Sequence, residues 1–391
     1  ETIQSFNSIR SGTAFKSKIN KMYKFVGFKT FLRCYSDLGK KKYIKYDNKS
    51  VKIKKILKKE LYPEDFFFGK EVKRNIKKKI IKVQDLYSEK NLYALITIKK
   101  EINQIKNKSL KKFLLFCFTS IVFNCSLLSR YRKYENTSIR MGTYYVPAVI
   151  KDNNVLSSFN RKVESILKSK QNTFTTPKKV KCKIKLGDAS KLKNIKSNSI
   201  DFIYTDPPYG DVISYSQLNL VYESWLGSVF KYKNEMIIDE ESGKTKKYYF
   251  KLFSKFLSES SRLLKKDKYM VLVFHHPSIE IWSELQETIA DSNFEVINSK
   301  YPKRILSENK TASQRSTTKN SQGFLIIELI NRKKKSRNKL KKLNMSTIQK
   351  ILDKSEAQGY SKSSEKYDYF LNYTIKRYNL KSNPNINNFL F

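Results

Sequence analysis

The sequence predicts an α/β fold, an open and mostly parallel sheet with helices on its faces. Three observations predict it. Between residues 179 and 331, short apolar runs with strand alternation take turns with stretches of helical spacing. One of these runs, IDFIYT at 200 to 205, ends at a proline pair that cannot extend a sheet ladder, so a strand must stop there. The 391 residues carry 39% hydrophobic and 13% aromatic content, enough to bury a core in roughly two domains.

The elements follow in chain order. Residues 1–130 are expected to form a basic, mostly helical region. The clearest helix there spans 83 to 105, where Leu86, Leu92, Leu95, Ile96, Ile98, Ile102 and Ile105 can largely share one face. The segment FLLFCFTSIVFNCSLL (113 to 128) is too short for a bilayer span and is broken by polar residues, so a buried helix is expected and no membrane contact. Residues 131–178 read as a mixed, loop-rich connector, with a domain boundary near 178. VKCKIKL (180 to 186) alternates as a strand and ends in Gly187-Asp188-Ala189. The strand ending at Asp206 comes next, then a helix near 218 to 226 and an amphipathic helix with Leu252, Phe253, Phe256, Leu257, Leu263 and Leu264. YMVLVF (269 to 274) is a strand, Ile281, Trp282, Leu285 and Ile289 mark a helix, and FEVINSKYP and GFLIIELI supply two closing strands. Residues 332–391 read as a basic linker, RKKKSRNKLKK, and a helical tail.

Charge and cysteine usage narrow the class. Lys and Arg number 80 against 35 Asp and Glu, a net +45 that suits a polyanionic partner, nucleic acid first. A/T-rich codon usage explains part of the Lys excess but not the failure of the acids to rise with it. Cys34, Cys117, Cys125 and Cys182 form no CxxC pair, which fits buried thiols in a reducing compartment, and no metal site is expected. No signal peptide is evident, and a start at Glu1 instead of Met suggests that upstream material is missing.

The proline pair is where chemistry enters. Asp206-Pro207-Pro208-Tyr209 at a strand end forms a rigid extended turn at the rim where such sheets bind ligands. An exocyclic base amine is a poor nucleophile because its lone pair is delocalised into the ring. An Asp206 carboxylate and a Pro207 carbonyl accepting its two N–H bonds would draw the nitrogen toward tetrahedral geometry. Tyr209 is expected to offer a flat face for an extruded base.

These residues resemble the amino-methyltransferases that use S-adenosylmethionine to methylate exocyclic nitrogens in DNA, whose motif is [D/N/S]PP[Y/F/W]. The longer runs TDPPYGDVISYSQLNLVYESWL and YMVLVFHHPSIEIWSEL are similar to a branch of large adenine-specific DNA methylases, and the likeness extends over most of 60 to 330. The resemblance implies a Rossmann-like methyltransferase sheet over 179–331, adenine N6 or cytosine N4 as target with the Asp of the motif leaning to adenine, S-adenosylmethionine as cofactor, DNA as partner, and a cytoplasmic, nucleoid-associated place in restriction-modification or phage defence. It assigns Asp206 to Tyr209 to catalysis, Gly187, Asp188, Ala189 and Asp206 to the cofactor, and Gly210, Asp211, His275, His276 and Glu308 to the base or DNA. For Gly187 to Ala189 an ordinary strand-to-helix turn with Asp188 as N-cap stays open, and for the two histidines an ordinary loop. The pattern departs from the family in one respect: all 11 glycines are isolated, so no GxG loop can cradle the methionine arm of the cofactor. A second subunit or an upstream segment is expected to carry that loop. An RNA guanine-N2 methyltransferase, which shares a DPPYG strand end, and a non-catalytic DNA-binding subunit remain as alternatives.

Overall fold

The computed structural model describes residues 3–10, 27–37, 40–45, 62–69, 71–72, 80–131, 139, 143–147, 149–171, 181–229, 235–301, 324–333, 340–360 and 363–382. They divide into two compact units, one of residues 1–181 with 215–233 and one of 182–214 with 234–391.

The first unit opens with strands where a helical region was expected. β1 (Ile3–Arg10), β2 (Gly27–Asp37) and β3 (Lys40–Lys45) join β4 (Val149–Asp152) in an antiparallel sheet of order β3-β2-β1-β4. The reason is visible in GFKTFLRCYSD, where Phe28, Thr30, Leu32 and Cys34 fall at the two-residue period of a strand. Asp37 pairs with Lys40, which fixes the β2–β3 register as a tight hairpin. Helices follow from residue 83 on: a 3₁₀ turn at Val83–Leu86, α1 (Glu89–Gln104), α2 (Lys108–Val122), α3 (Val155–Gln171) and α4 (Tyr215–Leu226). Ser88 caps α1 by accepting from the Asn91 amide, and Asn107 caps α2 through Ser109 and Leu110. Leu95, Ile96, Phe118, Val122, Ile150 and Trp225 are buried in one core. The side-chain amide of Asn91 ties that core together, donating to Cys125 O at 2.9 Å, Asp152 Oδ1 at 2.7 Å and Asn153 O at 2.9 Å. The 113–128 segment is buried as expected on its α2 side, and among the described residues no helix is long and apolar enough to cross a membrane.

The second unit is built on β5 (Ile200–Thr205), β6 (Leu264–Phe274), β7 (Phe294–Lys300) and β8 (Leu325–Asn331), in the order β5-β6-β8-β7. Only β5 and β6 are parallel; β8 runs antiparallel to both β6 and β7, so the sheet is mixed where a mostly parallel one was expected. The chain enters β8 between strands already laid down in the other direction, and the register pairs Met270 with Leu329, Leu272 with Ile327 and Phe274 with Leu325, all buried. α5 (Lys246–Leu263) and α6 (Ile279–Ala290) cover this core with Tyr249, Phe253, Leu257, Trp282 and Leu285.

Two further expectations are corrected. Residues 181–188 form no strand; Ile184 is 95% and Leu186 88% exposed. Alternation supplies a face, but a strand also needs a neighbour for its N–H and C=O groups, and among the described residues β5 pairs only with β6. The segment after 331 is no appended tail. α7 (Met345–Ala357) and α8 (Ser363–Thr374) place Ile348, Ile351, Tyr367, Phe370 and Leu371 in the core of the second unit. Gln286 of α6 fastens the end of the chain, donating to Ile375 O and Tyr378 O at 2.8 Å each and accepting from Leu380 N at 3.1 Å.

Candidate active site

Because β5 and β6 are parallel, with Thr205 opposite Leu272, their C-terminal ends open on the same rim. The turn 206–211 leaves one strand there, and His275 and His276 leave the other. Asp206 is exposed while Pro207, Tyr209 and Gly210 behind it are buried, so the carboxylate stands on a fixed base. The Tyr209 hydroxyl donates to Asp206 Oδ1, and the Tyr249 hydroxyl of α5 donates to Pro208 O at 2.5 Å. The first bond aims the acid; the second holds the proline carbonyl from below. Sequence reasoning missed Tyr249, whose only signal was its place on the apolar face of a helix.

Tyr209 differs from its expected role. It is 6% exposed, with Phe274 at 5.5 Å edge-on, His275 at 6.2 Å edge-on and Phe324 tilted over it at 5.9 Å. Its ring is a core ring, and it presents no open face for stacking; aromatic packing at a strand end won over exposure. Phe324, itself 41% exposed, is the ring at this place that faces outward.

Gly210 has φ +63°, and a Cβ there would lie 3.3 Å from Ile238 Cδ1 and 3.4 Å from the His276 ring. The left-handed turn favours glycine, and a Cβ there would press on the Ile238 side chain by a few tenths of an ångström. Its carbonyl accepts from Ile238 N at 3.1 Å, which closes the turn against the chain leading into α5. His276 is buried, and its Nδ1 accepts the Ser278 N–H at 3.0 Å. The proton therefore sits on Nε2, which donates to Asp211 Oδ1 at 3.0 Å. His275 is buried as well, so neither histidine is the solvent-facing loop residue of the simpler reading.

The structure thus brings Asp206, Pro207, Pro208, Tyr209, Gly210, Asp211, His275 and His276 together. It does not bring Gly187, Asp188 and Ala189 into a cradle. Gly187 faces open space, and Asp188 accepts from Ser190 N at 2.8 Å and Ser190 Oγ at 2.7 Å within its own exposed turn. The Ser190 hydroxyl first, against the opposing effect of burial and with help from the Ser190 amide, holds the Asp188 carboxyl below the ordinary carboxylate value. No helix follows that turn before β5, so no N-terminus supplies backbone N–H groups there. Glu308 and the run ENKTASQRSTTKNSQ lie outside the described residues.

No family model and no curated protein matches the chain. Among solved structures it is similar to a "Putative DNA Modification Methylase" from Thermus thermophilus, at 16% identity and a TM-score of 0.20. The match covers 42% of this chain and 58% of that protein, so the chain spans less than two thirds of its length.

Proposed function

We propose that this chain is the amine-activating part of a DNA methyltransferase acting on an exocyclic base nitrogen, adenine N6 first. One observation carries the reading: an exposed Asp206, oriented by a tyrosine hydroxyl, stands on a Pro-Pro turn with Pro207 and Tyr209 buried, at the C-terminal end of a parallel strand. In this role Asp206 accepts one amine N–H and the Pro207 carbonyl the other, both from positions fixed before the reaction begins. Gly210 lets the chain turn tightly behind them, and the Asp211–His276 pair fixes the far side of the turn.

S-adenosylmethionine, when bound, supplies an electrophilic methyl group. The residues present do not fit it: no GxG loop is available for its amino-acid end, and Asp188, assigned to its adenine end, is exposed and engaged by Ser190. The reading therefore includes a complementing segment, on a partner polypeptide or upstream, that carries a glycine-rich loop. The edge of β5 supports this. Among the described residues β5 pairs only with β6, and Phe202 is 55% and Tyr204 66% exposed, as Ile184 and Leu186 are to a larger extent. Parallel strands are ordinarily covered on both faces.

In the assembled enzyme, Asp206→Ala should lower tritium transfer from labelled cofactor to duplex DNA by about a hundredfold or more, with DNA affinity kept. A variant retaining more than roughly a tenth of the rate overturns the assignment. The exposed 181–189 segment also favours a second reading, a DNA-binding subunit without catalysis. It predicts that no complementing segment restores cofactor binding.

A further inference from the structure

β7 lies at the opposite edge of its sheet from β5. Together with α8 and the turn that follows, it encloses a cleft of about 240 Å³. Asn298 and Ser299 form the strand wall, Tyr369, Asn372 and Tyr373 the helix wall, and Lys376 and Arg377 the mouth. No carboxylate is among the lining residues.

Three features of the cleft each select a chemistry. The first is an aromatic row. Tyr369 and Tyr373, one helical turn apart, stack at 6.3 Å and 23°, and Tyr378 continues beyond Tyr373 at 6.4 Å and 19°. The second is cationic: the Arg377 guanidinium lies 4.7 Å from the Tyr373 ring centre, and Lys376 Nζ donates to Ile297 O at the same mouth. The third is an acceptor without a donor. The Ser299 hydroxyl donates to the backbone carbonyl of Asn372 at 3.0 Å, while the buried Oδ1 of Asn372 accepts no hydrogen bond from the described residues. A desolvated acceptor of this kind is destabilising unless something donates to it.

We propose that this cleft binds a nucleotide unit. The tyrosine row takes the planar base, Arg377 and Lys376 take the phosphate, and Asn372 Oδ1 accepts an N–H of the base edge. A simple anion would leave the rings and the acceptor unused, and an apolar ligand would leave the cations unused. The inference goes beyond the role of Asp206 and stands whether or not that residue takes part in catalysis.

The test is calorimetric binding of deoxyadenosine monophosphate, and of a single-stranded oligodeoxynucleotide by fluorescence anisotropy, to the full chain. Lys376→Gln with Arg377→Gln should weaken mononucleotide binding by about tenfold or more, and Asn372→Leu by a similar factor. Lys193→Gln with Lys350→Gln, which removes equal charge from exposed positions elsewhere, should change it less than about twofold. If Asn372→Leu fails to fold, judged by its unfolding transition, the exposed Lys376/Arg377 pair decides alone. Weakening confined to the mononucleotide identifies a free nucleotide as ligand, and weakening of both identifies a unit of a strand. No mononucleotide binding at millimolar concentration, or equal losses in the site and control pairs, overturns the proposal.

Discussion

Gly210 carries a large share of the site's geometry for so small a residue. Its φ of +63° is left-handed, and the space a Cβ would take is already bounded by Ile238 and His276. Gly210→Ala should therefore destabilise the chain by about 1–2 kcal/mol, read as a lower urea midpoint with an unchanged slope. A neutral effect would mean that the turn relaxes freely. Glu259 gives a pH prediction. Arg262 binds both of its carboxylate oxygens, at 2.7 and 2.9 Å, and Leu192 N donates to it at 2.7 Å. These bonds, that of Arg262 first, hold the carboxyl below its ordinary value of 4.5. A carboxyl depressed in the folded state contributes stability that is present above the ordinary value and lost as pH falls through the lowered one. The stability difference between wild type and Glu259→Gln should be full above about 4.5 and close on acidification. A difference that is flat across that window would show that the pair contributes no linked protons.

At the level of elements, the last two helices belong to the core, and their removal should be felt as such. Phe370 is fully buried among the residues of the second unit. Phe370→Ala should cost about 3–5 kcal/mol, measurable by chemical denaturation; a cost below about 1 kcal/mol would mean that α8 is a detachable tail after all. Gln286 is the polar counterpart. Its amide satisfies three backbone groups at the end of the chain, so Gln286→Leu leaves them buried without partners and should lose at least about 2 kcal/mol. Protection of the 375–380 amides from hydrogen exchange should fall with it. These elements show why helical spacing was legible at 89–104, 246–263 and 279–290: each helix has one continuous apolar face, and each found a partner for it.

For the molecule as a whole, the net +45 sets a prediction that belongs to no single residue. If the proposed DNA partner is held through phosphates, affinity should fall steeply between about 50 and 200 mM salt, with a slope set by the number of neutralised phosphates. A flat response would mark the charge as compositional. Calorimetry on these 391 residues alone should show no cofactor binding near micromolar concentration, and a complementing segment bearing the glycine loop should restore it. Tight binding by the chain alone would place the cradle elsewhere and remove the need for a partner.

Where the β5 strand stops, and that Asp206, Pro207, Pro208 and Tyr209 make a rigid turn at its end, is legible in the residues alone, because proline removes donors and fixes φ wherever it occurs. Most helices are legible there too, since an amphipathic stripe is a local property of spacing. The residues alone do not reveal that KCKIKL lacks a strand partner among the described residues, that β8 enters antiparallel between β6 and β7, or that α7 and α8 complete a core. Nor do they show that Tyr209 turns its ring inward against Phe274 while its hydroxyl holds Asp206. Each of these depends on which neighbour a group meets in the folded chain, because a strand edge, a ring face or a buried carbonyl is satisfied by partners distant in sequence.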